Sequence, residues 1–157
     1  MTRAPSILSP HGRSHGALLT PASVPRLPRA TDNYPGLSFR DIYATTGVIG
    51  LRIAGPAKEL AGQPVRIRGY MAPPLLDQGN FFVLTRSPVI TCPFCDPGAG
   101  WPDDVVLVHL ERDSQFVDPA QMIEVAGALE IGARLDAQTG AMRLVRLRDA
   151  QWHVPGA

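Results

Sequence analysis

From Gln63 onward the sequence alternates apolar and polar residues in short runs, and this period of two is what most limits the fold open to the chain. Successive side chains of a strand point to opposite faces, so such runs build half-buried strands and leave no continuous apolar stripe for a helix. In "VRIRGY", Val65, Ile67 and Gly69 share one face and Arg66 and Arg68 the other. "NFFVLTR" predicts a second strand over Phe81–Arg86, and "DVVLVHLE" a third over Val105–Glu111. In "MIEVAGALEI", Ile123, Val125, Leu129 and Ile131 point one way and Glu124 and Glu130 the other, with a bend or bulge at Gly127. "AMRLVRLRDA" predicts a fifth strand over Met142–Asp149, joined to the fourth by the hairpin signal "DAQTG".

Five short strands with glycines in the first and fourth fit a mainly β protein: a small five-stranded barrel of the OB type, with a β-sandwich fragment as the alternative. The expected domain covers residues 63–152. Ahead of it, residues 38–62 read as a short helical lead-in. Ser38 can cap a helix over Phe39–Thr45 that Gly47 ends, and Pro56–Leu60 makes a second helical turn stopped at Gly62. Phe39, Ile42 and Tyr43 form an apolar stripe at helical spacing, which makes Tyr43 a core residue rather than a site residue.

Residues 1–37 differ again. The first 40 residues hold six prolines, five arginines and one acid, and show little hydrophobic periodicity, so the expectation is a disordered Pro/Arg-rich leader. Its longest apolar stretch, Ala17–Leu19, is too short for the core of a signal peptide. As written, the chain is expected to be cytoplasmic; a different start would make it periplasmic. No apolar run reaches the roughly 20 residues of a membrane helix, so no membrane span is expected.

Both cysteines lie in "TCPFCDPGAGWPDD". Cys92 and Cys95 straddle Pro93-Phe94, a spacing that lets two sulfurs face one side of a turn, as in half of a zinc site or a redox pair. Tetrahedral zinc takes four ligands, and there is no second cysteine pair. The best third donor is His109, in the strand that follows the loop; Asp96, Asp103, Asp104 and His153 rank below it. Taken alone, His109 also reads as a half-buried strand histidine, and His153 as part of a frayed end. A redox pair would need a thiolate of lowered pKa, whereas Asp96, Asp103 and Asp104 work the other way. Metal ligation, a disulfide or redox role, and purely structural thiols all remain open. Trp101, between Gly100 and Pro102, is expected to pack rather than to cover a ligand.

The signatures of phosphate-binding loops, serine hydrolases and zinc proteases are absent from the sequence. Arg66, Arg68 and Arg86 can form a basic strip, with Arg143, Arg146 and Arg148 on the last strand. Residues 41–157 nevertheless carry ten basic against thirteen acidic side chains, and aromatic residues make up 6% of the chain, so nucleic acid is not the expected partner.

Three blocks carry a resemblance: "GQPVRIRGYMAPPL", "FFVLTRSPVITCPFCDPGAGWPDDVVLVHL" and "VAGALEIGARLDAQTGAMRLVRL". Over about residues 60–150 the chain resembles a family of uncharacterised bacterial small β-domain proteins. In that family a Gly-Tyr step, here Gly69-Tyr70, precedes an F-x-L strand, a cysteine-centred loop and a V-x-G-x-L strand. Its members are often exported or lipid-anchored and often accompany transporters; this chain departs from them in showing no signal peptide. The resemblance implies an OB-like domain with a protein partner, a transporter or metal-handling component. The combined expectation is a non-catalytic accessory protein holding zinc or copper(I) through Cys92, Cys95 and His109. The alternative is an OB-type interaction or single-strand-binding module whose cysteines are structural.

Overall fold

A computed structural model of the chain describes residues 33–46, 50–73, 78–90, 102, 104–135 and 142–156. Most of the expected leader, residues 1–32, lies outside this set. So does the segment 91–101 that carries Cys92 and Cys95.

The five strands read from the alternation are all present and mostly longer than their patterns. They are β4 (Pro64–Met71), β5 (Gln78–Thr85), β6 (Val105–Gln115), β7 (Met122–Leu135) and β8 (Met142–His153). Three more strands and two short helices precede them in sequence: β1 (Gly36–Leu37), α1 (Phe39–Ile42), β2 (Tyr43–Thr46), β3 (Gly50–Ile53) and α2 (Gly55–Glu59). The chain is therefore mainly β. Its main sheet has six strands rather than the expected five, in the order β1-β4-β5-β6-β8-β7, and β2 and β3 form a separate two-stranded sheet. Strand β4 also pairs antiparallel with β7, in register from Pro64↔Ala128 to Tyr70↔Met122. Strands β4, β5, β6, β8 and β7 thus form a closed circuit of pairings, in which β6 and β8 run parallel.

Inside the circuit the alternating residues meet. Val65, Ile67, Leu84, Val106, Val108, Ile123, Val125, Leu129, Val145 and Leu147 all have no exposed surface. Fully burying one such side chain stabilises the fold by roughly 1.5–3 kcal/mol. The opposite face of β5 and β6 is covered too. Ala72, Val83, Val105 and Leu107 make a second buried cluster, against which Phe81 and Val89 pack.

Two departures from the sequence reading have local causes. The helix expected over Phe39–Thr45 ends at Ile42, because Tyr43, Thr45 and Thr46 favour extended backbone and pair with β3. Tyr43 is buried in the core, as its spacing suggests, and its hydroxyl donates to the Val105 carbonyl. The last strand does not stop at Asp149. That residue adopts a left-handed backbone (φ 50°), a conformation aspartate tolerates better than most residues. The pairing of β8 shifts register around it on both sides, and the strand then continues through Trp152 and His153. His153 therefore pairs with Glu124 instead of fraying.

The bulge expected at Gly127 is present as a register shift between Ala126 and Ala128. At Gly69 the constraint is proximity: a β-carbon there would lie 2.6 Å from the Thr85 carbonyl oxygen and 3.0 Å from the Leu84 side chain. Gly69→Ala is expected to destabilise the protein by about 1–3 kcal/mol, the usual cost of overpacking. Denaturant titration checks this; an unchanged midpoint would mean that β4 and β5 do not approach so closely.

Candidate functional site

The alternation that buries Val65 and Ile67 turns Arg66 and Arg68 outward on β4. The β4–β7 register sets Glu124 directly opposite Arg68. Residues facing each other across an antiparallel pair share one face of the sheet, so three charged side chains converge there. Arg68 donates from Nε to Glu124 Oε2 at 2.7 Å, and Arg66 from Nη1 to Glu124 Oε1 at 3.2 Å. Glu124 is only 5% exposed. Burial pushes its carboxyl up. The hydrogen bond from Arg68 and the charges of both arginines outweigh that push and hold the carboxyl below its ordinary value.

Arg66 also fixes the chain entering β1. Its backbone N–H donates to the Pro35 carbonyl at 2.9 Å and its Nε to the Tyr34 carbonyl at 3.0 Å. These bonds lay β1 parallel to β4, with Gly36↔Arg66 and Leu37↔Ile67 in register, and Leu37 buried. Helix α1 follows at once. Asp41 accepts from the Ser38 backbone N–H at 2.8 Å and from its hydroxyl at 2.6 Å, bonds that lower the Asp41 pKa and fix the helix start. This places Arg40 beside the arginines of β4. Arg86, just beyond β5, completes the set, with its Nη2 2.9 Å from Asp104 Oδ2.

The result is a groove of about 530 Å³ lined by Gly36–Arg40, Arg66, Arg68, Arg86 and Glu124. Among the described residues, four arginines line it against one carboxylate, Glu124. The side chains of Arg68 and Arg86 are 62% and 58% exposed, so both keep hydrogen-bond donors facing solvent. Arginine forks of this kind recognise oxyanions by charge and by paired hydrogen bonds.

The sequence singled out Arg66, Arg68 and Arg86, and the structure brings these three together. The other half of the expected strip lies elsewhere: Arg146 and Arg148 both pair with Glu130. Sequence reading missed Arg40 and the role of Glu124. The available signal was an acid in one strand and two arginines at alternate positions of another, a charge pattern that suits cross-strand pairing.

Of the expected metal ligands, Cys92 and Cys95 lie outside the described residues. His109 is half-buried on β6, opposite Phe81 on β5. Among the described residues, no group of three or more His, Cys, Asp or Glu side chains is placed to hold a metal ion. No helix among them is long and apolar enough to cross a membrane.

The fold is similar to the crystal structure of a DUF3299 family protein from Pseudomonas aeruginosa PAO1. The TM-score is 0.50 at 16% sequence identity, over 76% of this chain and 95% of that one. Identity this low makes it a likeness of fold alone. No protein-family model and no curated protein matches the sequence.

Because the Glu124 carboxyl is held low, the stability it contributes is present above its ordinary value of 4.5 and is lost as pH falls through the lowered folded value. Glu124→Gln removes that contribution and leaves Arg66 and Arg68 without their anion. It is expected to cost roughly 1–3 kcal/mol near neutral pH, the worth of hydrogen bonds to charged groups. The gap between wild type and variant should narrow as pH falls below about 4.5, the ordinary glutamate range. A gap that stays constant with pH would mean that Glu124 is not ionised in the fold.

Proposed function

We propose that this chain is a non-catalytic binding module built on a five-stranded OB-type barrel, and that its arginine groove receives an anionic ligand. The circuit β4-β5-β6-β8-β7, with β6 parallel to β8, supports the barrel reading, since this is the strand order of an OB fold; β1 is an added strand beside β4. The observation that carries the binding reading is the convergence of Arg40, Arg66, Arg68 and Arg86 on one groove in which Glu124 is the single lining carboxylate among the described residues. The likeness to an uncharacterised domain is compatible with a module that has no catalytic machinery.

Thermal denaturation tests the reading. A ligand that binds only the folded protein raises Tm with its concentration. Sulfate, citrate and pyrophosphate, each compared with sodium chloride at matched ionic strength, are expected to include at least one anion that raises Tm in a saturable way. The rise should disappear in the Arg40→Gln, Arg68→Gln double variant. Equal shifts in wild type and variant would remove the groove as a binding site.

Cys92 and Cys95 support a second reading, in which they and His109 hold zinc or copper(I) and the protein serves a metal-handling or transporter partner. One placement favours it. Val89, three residues before Cys92, packs on the outer cluster beside Phe81, and Phe81 is the cross-strand partner of His109. Val89 thus packs on the sheet face that bears Phe81 and His109. Protein purified under reducing conditions should then contain stoichiometric zinc or copper, and the Cys92→Ser, Cys95→Ser double variant should contain none. Metal-free wild-type protein that also fails to take up either ion would end this second reading.

A further inference from the structure

We infer that the ligand of the arginine groove is a compact phosphate-bearing small molecule, engaged through its phosphate oxygens. The inference rests on the anion-binding reading above and narrows it by three observations.

The first is the donor set. Glu124 occupies Nε of Arg68 and Nη1 of Arg66, and the Tyr34 carbonyl occupies Nε of Arg66. Asp104 faces Nη2 of Arg86. These bonds leave other N–H groups of Arg68 and Arg86 available, and Arg40 also lines the groove. A lone carboxylate has two oxygens and one charge and cannot satisfy forks on several sides. A phosphate presents three or more acceptor oxygens around a tetrahedral centre and carries close to two charges at neutral pH. With Glu124 and Asp104 set against the four arginines, the groove retains about two positive charges, which matches a phosphate dianion.

The second observation is the surroundings. Residues 41–157 hold ten basic and thirteen acidic side chains, so the positive groove belongs to a domain whose net charge is negative. A domain of that net charge gives a long polyanion no general attraction. A compact ligand would meet only the arginines.

The third is the lack of a stacking surface. Among the described residues Phe39 is the single aromatic lining the groove, and it is 4% exposed. Single-stranded nucleic acids are held by bases stacked on exposed aromatic rings as well as by charge. Among the described residues no exposed ring is offered, and recognition falls to the phosphate. The volume of about 530 Å³ is of the size that takes a small organic molecule and exceeds what a lone oxyanion would fill.

Calorimetric titration of the full chain at about 0.1 M salt, where charges are screened beyond roughly 10 Å, tests this with three probes: inorganic pyrophosphate, citrate and oligothymidylate. Pyrophosphate is expected to bind saturably and at least about tenfold more tightly than either other probe, a difference of about 1.4 kcal/mol. Arg40→Gln and Arg68→Gln change exposed side chains. Each should weaken pyrophosphate about tenfold and leave the circular dichroism spectrum unchanged; the Tm of the unliganded protein should stay close to wild type in Arg40→Gln and fall in Arg68→Gln, which takes a donor from Glu124. Citrate or oligothymidylate binding as tightly as pyrophosphate, with the same dependence on Arg40 and Arg68, would overturn the phosphate assignment and leave the anion groove standing. Failure of all three probes to bind, or binding indifferent to both substitutions, would overturn both.

Discussion

The cross-strand contact between Arg68 and Glu124 ties the groove to the fold. It lies in the seam where β4 meets β7, the pairing that brings the sheet back upon itself. The backbone register of that seam puts an almost fully buried carboxylate opposite Arg68 and within hydrogen-bonding reach of Arg66, two positions back on β4. The carboxylate in turn fixes where those guanidinium groups point. A buried anion without partners would be costly, and two arginines facing each other without an anion would repel. The seam and the groove therefore depend on one another: a slip of β7 by one residue against β4 would carry Glu124 to the inner face, away from Arg66 and Arg68.

Arg66 extends that dependence to the start of the described chain. Its backbone and side chain hold Pro35 and Tyr34, which set β1 beside β4 and bring α1, with Arg40, to the groove. Arg66 is thus chiefly an anchor, while the more exposed Arg68, Arg86 and Arg40 are the side chains with donors to offer. This division of labour explains why a groove rich in positive charge persists without collapsing or splaying apart: part of its charge is neutralised from beneath, and the remainder faces solvent.

Much of the fold was legible because it is written in local alternation. Val65, Ile67, Ile123, Val125 and Leu129 announce their strands and their inward face, and Gly127 announces its irregularity. What was not legible depends on distant partners. Tyr43 fits a helical stripe as well as a strand, and only the pairing with β3 and the bond to Val105 decide between them. Asp149 followed by "AQWH" looks like an ending, yet the left-handed turn of one residue lets β8 run on beside β7. Arg66, Arg68 and Arg86 were visible as a basic strip, but their separation from Arg146 and Arg148 follows from where Glu124 and Glu130 sit on β7, a fact of register. The cysteine pair is the reverse case: conspicuous in sequence, while Cys92 and Cys95 lie outside the described residues.

The most direct measurement is a crystal structure of the protein soaked with tungstate, a tetrahedral dianion that stands in for phosphate and reveals itself by anomalous scattering. The account predicts an anomalous peak within hydrogen-bonding reach of Arg68 and of Arg40 or Arg86, with Glu124 still bound to Arg66 and Arg68 beneath it. A fully soaked crystal with an empty groove, or with tungstate bound only at other arginines such as Arg146 or Arg148, would contradict it.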